Sequence, residues 1–294
     1  MADTSTKPEP RTTTWRMLAT LAALALVVLA ATGGLDQYGT TYTEASLKRA
    51  LVAFGISRTL DGVISVAQAT EISLEPGGVG VTLAPAEILD PVNDLVEQFS
   101  GLVLVAATSL GVQRVLLEVA AWWPVTVALG VLMAILVALW WRGEDAPRWF
   151  KSTLKLGLAV LFVVRFAVPC MAVASAAIYS LFLEPHYEQA TEQLEVASGR
   201  LQTLNEATEE SVPAATDGDP SLLERARRAY AAAGQALDIR QRLDSYTAAA
   251  AGIADHAVEL TVVFVIETLL MPLAFLWLMS AVMRGLAARL LGSD

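Results

Sequence analysis

The chain alternates long apolar stretches with polar segments. Four stretches contain no more than two charged residues each, and they cover residues 17–31, 122–141, 154–183 and 257–283. A helix needs about 20 apolar residues to cross the hydrocarbon core of a bilayer. The pattern therefore predicts an all-α membrane protein with four transmembrane helices, in contact with the lipid bilayer.

The first apolar stretch has two interpretations. It follows Lys7, Arg11 and Arg16, which fits either a retained span or a cleavable secretory signal. Because it continues to Leu35, its length approaches that of a span, and this favours retention. Whether it is cleaved stays open, and in both cases the chain emerges on the far side of the membrane.

The basic residues predict the orientation. The N-terminal segment, the loop 142–155 and the C-terminal tail together hold nine basic and five acidic residues. Lys and Arg near span ends are retained in the cytoplasm, so both termini are expected there, in a bacterial inner membrane. The expected segments are 1–35 with the first span, 36–121 periplasmic, 122–183 with two spans, 184–256 periplasmic, and 257–294 with the last span.

The first periplasmic segment mixes several patterns. Residues 47–67 show a helical apolar stripe, and residues 72–83 alternate around a Glu-Pro-Gly-Gly turn, which predicts a small β-hairpin. Residues 99–113 are apolar and uncharged but short for a span. If they crossed, the basic loop would lie outside, so we interpret them as an amphipathic or re-entrant helix. An interfacial or spanning position stays open.

The second periplasmic segment, 184–256, carries apolar positions at alternating spacings of four and three, which predicts an antiparallel helical hairpin. The positions are Ala190, Leu194, Ala197, Leu201 and Leu204, then Ala226, Tyr230, Ala233 and Leu237. Residues 213–220 form the linker, and Ser221 with Glu224 forms a capping box that begins the second arm. This hairpin is the predicted surface for a protein partner.

Composition excludes several classes of function. Hydrophobic residues make up 55% of the chain and charged residues 17%, and the net charge is -10, which is untypical of a soluble enzyme and of a nucleic-acid-binding protein. The single cysteine, Cys170, has no partner for a disulfide. The HExxH, GxSxG and phosphate-loop motifs are absent. We therefore expect no enzyme activity, no cofactor and no nucleic-acid partner.

Two charges lie inside apolar stretches, Arg165 in the third and Glu267 in the fourth. An isolated charge there costs at least about 2.5 kcal/mol, so the sequence predicts that they pair. One interpretation is a polar pathway for ions or protons, and the other is a structural pair that sets helix packing. Pro169 and Pro272 nearby are expected to kink their helices or to free carbonyl groups that solvate the charges.

The only two histidines, His186 and His256, are expected at the outer ends of the third and fourth spans, where Glu259 is also expected. Such a group predicts either a metal or pH-sensing site or ordinary solvated residues at helix ends. Glu259 has the further alternatives of pairing with Arg114 or facing lipid headgroups.

The stretch DGVISVAQATEISLEPGGVGVTLAPAEILDPVNDLVEQFS, residues 61–100, resembles a family of uncharacterised multi-pass proteins of Gram-negative bacteria. The resemblance implies an inner-membrane location and no particular activity. The order of spans and loops is similar to that of large-pore channel subunits, but no motif is shared, and a shared fold does not establish a function.

Two hypotheses follow for the function. The first is a homo-oligomeric inner-membrane protein that forms a pore or transport pathway, with Arg165 and Glu267 as its polar pair. The alternative is a non-conducting envelope scaffold or sensor whose hairpin, residues 184–256, binds a periplasmic or membrane protein.

Overall fold

The structure, a computed structural model, describes residues 10–69, 72–74, 81–83, 86–142, 147–209 and 222–291. Side chains are described for 14–69, 89–142, 147, 150–206, 241 and 243–285. The α-helices are α1 (Pro10–Thr32), α2 (Gly34–Ala69), α3 (Ala86–Ala121), α4 (Trp123–Arg142), α5 (Arg148–Ile178), α6 (Glu184–Glu209), α7 (Leu222–Val265) and α8 (Met271–Leu291). A first π turn (Tyr179–Leu183) joins α5 to α6, and a second (Ile266–Leu270) joins α7 to α8.

Among the residues that the structure describes, six helices are long and apolar enough to cross a membrane, by length and composition. They are Thr14–Thr32, Gly34–Ala69, Leu89–Ala121, Trp123–Arg142, Phe150–Glu206 and Leu243–Gly285. The predicted fold class was four transmembrane helices with a periplasmic helical hairpin and a first periplasmic segment containing a small β-hairpin, and the six apolar helices contradict it. Six such helices indicate a membrane-associated protein.

The predicted number of transmembrane helices was too low because charged residues and short apolar runs were interpreted as the ends of spans. Residues 99–113, interpreted as an amphipathic or re-entrant helix, are the middle of α3, which has 36 residues. Helix α2 also has 36 residues, and its Asp36 and Arg49 both have partners of opposite charge in the structure. A charge with such a partner interrupts the hydropathy pattern without ending the helix.

Two short strands lie between α2 and α3. Strands β1 (Ile72–Leu74) and β2 (Val81–Leu83) pair antiparallel, with Ile72 opposite Leu83. The residues of the expected Pro-Gly turn, 75–80, lie outside the described residues.

The chain forms two compact units. The first consists of Met1–Ser46, Ser109–Ile178 and Leu270–Asp294, and the second of Leu47–Thr108 and Tyr179–Leu269. Each unit is built from parts of several helices, because α2, α3 and the two helical stretches with π turns each contribute to both.

In the first unit α4 packs against α5 and α1, and α5 packs against α8. A small apolar core forms where Ala30, Leu129 and Phe166 are buried together. Gly130 brings α4 close to α1, since a Cβ atom there would lie 3.7 Å from Val27. Many of the unit's other large apolar side chains are exposed, among them Trp277, which is the arrangement expected of helices whose outer surfaces face lipid.

In the second unit four helical segments each bury one stripe of side chains at spacings of three and four residues, the pattern of a four-helix bundle. The stripes include Ala50, Ala53, Leu60, Ile64 and Ala67 in α2, Leu89, Val92, Val96, Phe99 and Val103 in α3, Ala190, Leu194 and Leu201 in α6, and Tyr246, Ile253 and Leu260 in α7. The seam expected between residues 226 and 237 lies among side chains that the structure does not describe. Helix α6 packs along α7.

A polar contact lies inside this bundle. The Asn205 side chain donates to the Val63 carbonyl at 3.0 Å and accepts from the Tyr246 hydroxyl at 2.9 Å. Asn205 thereby links α6 to both α2 and α7. A buried amide of this kind fixes the register of a bundle, because a shift of either neighbour would leave its hydrogen bonds unmade.

Replacing Asn205 with alanine should lower the free energy of unfolding by about 2 kcal/mol, because the buried Tyr246 hydroxyl loses its acceptor. Unfolding in detergent micelles, titrated with dodecyl sulfate, measures this loss. The control is Gln202→Ala on the exposed face of α6, which should cost much less. Equal costs for the two variants would show that the amide contributes no specific stability.

Candidate functional site

The first buried ion pair begins at a tight joint between α1 and α2. Gly33 has a φ of 65°, a left-handed conformation that glycine adopts at little cost. The backbone N–H of Gln37 then donates to the Gly33 carbonyl at 2.9 Å. This joint places the last turn of α1 and the first turn of α2 side by side, and Asp36 lies in that first turn.

Arg165 of α5 occupies the space beside the joint. Its two Nη atoms donate to the two Asp36 carboxylate oxygens at 2.7 and 2.5 Å. One Nη atom also donates to the Ala30 carbonyl, and Nε donates to the Thr126 hydroxyl of α4 at 3.1 Å. The Arg165 side chain is 3% exposed. One guanidinium group therefore holds four helices together.

The helix ends add to this attraction. The Ala30 carbonyl lies in the last turn of α1, where carbonyl groups lack acceptor partners within the helix and carry the negative end of the helix dipole. Asp36 lies at the positive end of α2. Each charge is thus placed where a helix end stabilises it, and the bidentate pair is among the stronger kinds of hydrogen bond.

The second buried ion pair lies in the second unit. Glu267 is within the second π turn and is buried. Pro272 follows five residues later; a proline has no N–H to donate and its ring displaces the carbonyl four residues before it, which favours a local widening of the helix. Glu267 Oε1 lies 3.2 Å from Arg49 Nη2 of α2.

Aromatic rings surround Arg49. Its guanidinium carbon lies 3.7 Å from the centroid of the Tyr179 ring in the first π turn, a close cation–π contact. The Tyr187 hydroxyl donates to the Arg49 carbonyl at 3.2 Å, and the Tyr187 ring meets Phe264 edge-on, with centroids 6.3 Å apart. The Arg49–Glu267 pair is therefore held by side chains from both π turns.

The structure thus gives Arg165 and Glu267 partners on α2, Asp36 and Arg49, in place of the predicted Arg165–Glu267 pair. Neither partner was expected from the sequence, because Asp36 and Arg49 fall in the segment that was predicted to be periplasmic and exposed to water. The sequence did contain an indication of these partners. Each lies on a largely apolar helix, and its charge is opposite to that of Arg165 or of Glu267.

The two prolines differ in their surroundings. Pro169 lies inside α5, which continues through it from Arg148 to Ile178. Pro272 is the second residue of α8 and follows directly on the second π turn. A π turn thus precedes Pro272, while the expected kinks at both prolines stay a prediction.

The histidines and Glu259 come together in the second unit. His186 Nδ1 of α6 lies 2.6 Å from Glu259 Oε1, and His256 Nδ1 lies 3.4 Å from Glu259 Oε2. The only two histidines of the chain therefore share one carboxylate, across the interface between α6 and α7. Arg114, the alternative partner for Glu259, pairs instead with Glu44.

The structure adds no support for a metal ion at this histidine–carboxylate cluster (His186, Glu259 and His256). Among the described residues no group of three or more His, Cys, Asp or Glu side chains could hold a metal ion. The distances fit hydrogen bonds that become ion pairs when the imidazoles are protonated.

Comparison with protein-family models, with curated proteins and with solved structures finds no match for the chain. Its function is therefore argued from the ion pairs and from the histidine–carboxylate cluster.

Arg165→Met should lower the free energy of unfolding by about 3–5 kcal/mol, because it leaves the Asp36 carboxylate buried without its partner. Adding Asp36→Asn should recover much of that loss, and a double-mutant cycle in detergent measures the coupling. The matched control is Arg114→Gln. Its pair with Glu44 is more than 40% exposed at both side chains and should contribute less than about 1 kcal/mol. Similar costs for the two arginines would contradict a structural role for Arg165.

Proposed function

We propose that the chain is a non-conducting sensor and scaffold of the bacterial inner membrane, in which the protonation of the histidine–carboxylate cluster controls the packing of the α6–α7 hairpin. The observation that carries this proposal is the 2.6 Å contact between His186 and Glu259, together with the second histidine on the same carboxylate. It ties two helices together through imidazole groups, which belong to the side-chain type that most often serves as a pH switch.

The buried ion pairs support the non-conducting part of the proposal. Arg165 and Glu267 are both almost fully buried and both have a partner of opposite charge. Residues that line an ion pathway face a water-filled space and exchange partners with the permeant ion. The pore hypothesis stays a prediction, and it now has to rely on other residues or on the assembly of several copies.

The orientation of the hairpin follows from the positive-inside rule. The loop that contains Arg142, Arg148 and Lys151 is expected in the cytoplasm. The continuous helix of α5 and α6 then leaves the cytoplasm once, and that of α7 and α8 returns. In this topology both termini are cytoplasmic, which requires an even number of membrane crossings. The α6–α7 hairpin is then periplasmic and available to a protein partner or to a second copy of the chain.

The charge balance around Glu259 gives the sign of the response. A protonated imidazole is attracted to a carboxylate more strongly than a neutral one is, and histidine is the side-chain type whose charge ordinarily changes between pH 5 and pH 8. Acidification should therefore tighten the contact between α6 and α7.

Spin labels on α6 and α7 should report this change. In a Cys170→Ser background, labels at the exposed positions Gln189 and Val258 should give a narrower distance distribution at pH 5.5 than at pH 8. Double electron–electron resonance on the protein in nanodiscs measures both distributions. Glu259→Gln should abolish the difference, because the shared carboxylate is lost.

Glu188→Gln is the matched control, since it removes one acid of α6 that has no described contact with either histidine. This variant should keep the full pH response. The sensor proposal is refuted if the parent shows no response, or if Glu259→Gln responds as the parent does.

The conducting and non-conducting hypotheses separate in liposomes. The reconstituted parent protein should carry no potassium, proton or chloride flux at pH 5.5 or pH 8, measured with ion-sensitive dyes against a gramicidin control. Flux above that of empty liposomes would support the pore hypothesis and contradict the non-conducting scaffold.

A further inference from the structure

A small cavity opens between α6 and α7. Its volume is about 100 Å³, roughly three times the volume that one water occupies in the liquid. It is lined by Gln193, Val196, Ala197 and Arg200 of α6 and by Ala248, Ala249, Gly252 and His256 of α7. Three of the four residues from α7 carry no side chain larger than a methyl group, and this creates the space.

The charge of the lining is opposite to that of its helix. Helix α6 has six acidic residues and a single basic one, Arg200. Arg200 nevertheless lines the cavity together with His256, and no acidic residue lines it among the side chains that the structure describes. The polar groups of the lining are a guanidinium, an imidazole and the amide of Gln193, all of which can donate hydrogen bonds. The cavity thus gathers hydrogen-bond donors on a helix that is otherwise acidic.

We propose that this cavity binds a small oxyanion, a phosphate or a similar group. The guanidinium of Arg200 matches two oxygens of such a group. His256 turns Nδ1 towards Glu259 at 3.4 Å, so its other ring nitrogen, Nε2, donates to the anion when both ring nitrogens carry a proton. Gln193 supplies further N–H donors. The ligand is defined by this shared chemistry, whether it comes from free phosphate or from a phospholipid headgroup.

Gly252 lines the cavity in the middle of α7, where glycine costs about 1 kcal/mol relative to alanine. A Cβ atom at Gly252 would meet no other atom within 4 Å. Helix packing therefore does not require the glycine, and a side chain there would project into open space beside the lining residues.

The test is isothermal titration of inorganic phosphate into the full chain, purified at pH 6 in a maltoside detergent that contains no phosphate. Binding is expected, and Arg200→Gln should weaken it by about tenfold or more, since a charge-assisted bidentate contact is lost. Gly252→Val, which narrows the cavity without a backbone clash, should weaken it as well. Arg58→Gln removes an exposed arginine of α2 and is the matched control, which should bind as the parent does.

Two further arms complete the experiment. His256→Ala should weaken phosphate binding at pH 6, because it removes the imidazole from the cavity lining. Short-chain phosphatidic acid should compete with phosphate in the parent and fail to bind Arg200→Gln if a headgroup is the source. Both a free-phosphate and a headgroup result support the site. It is overturned if neither probe binds, or if Arg200→Gln and Arg58→Gln bind equally.

This inference and the sensor proposal fail independently. Arg200→Gln leaves the histidine–carboxylate cluster intact, so it should keep the pH response of the spin labels while it loses phosphate. A protein that binds phosphate without a pH response of the hairpin would retain the anion site and lose the sensor.

Discussion

The burial of Arg165 is the constraint on which the arrangement of the first unit depends. An arginine removed from water requires a counter-charge and acceptors for most of its five N–H groups, and no single helix supplies them. The structure meets this demand with the end of α1, the beginning of α2 and Thr126 of α4. The left-handed Gly33 is part of the same solution, because it allows a carbonyl and a carboxylate from consecutive helices to face one guanidinium.

The second unit solves the same problem with helix geometry. Tyr179, Leu183 and Tyr187 are all buried at spacings of four residues, where a regular stripe would alternate four with three. The first π turn adds the residue that keeps the stripe on one face. It also places Tyr179 against Arg49, while the second π turn carries Glu267 to the other side of the same guanidinium. The two π turns therefore carry the side chains that contact the buried Arg49.

The sequence predicted the features that depend on local composition and missed those that depend on distant partners. Apolar length and tryptophan placement identified helices such as α4, and the proximity of the two histidines followed from their positions at the ends of neighbouring spans. The predicted number of transmembrane helices was wrong because Asp36 and Arg49 lower the hydropathy of α2 equally whether they face water or form buried ion pairs. Hydropathy cannot tell these two situations apart, since the partners lie 129 and 218 residues away along the chain.

The contrast between the two kinds of charge contact indicates where a response can arise. An arginine keeps its charge at every physiological pH, so the contacts of Arg165 and Arg49 are permanent as long as their carboxylates stay ionised. A histidine contact is conditional, because its strength changes with a single proton. The structure places permanent pairs where charges are most deeply buried and a conditional contact where α6 and α7 meet near solvent, with His186 61% exposed. The proposed sensor depends on this second kind of contact, which can change without breaking either buried ion pair.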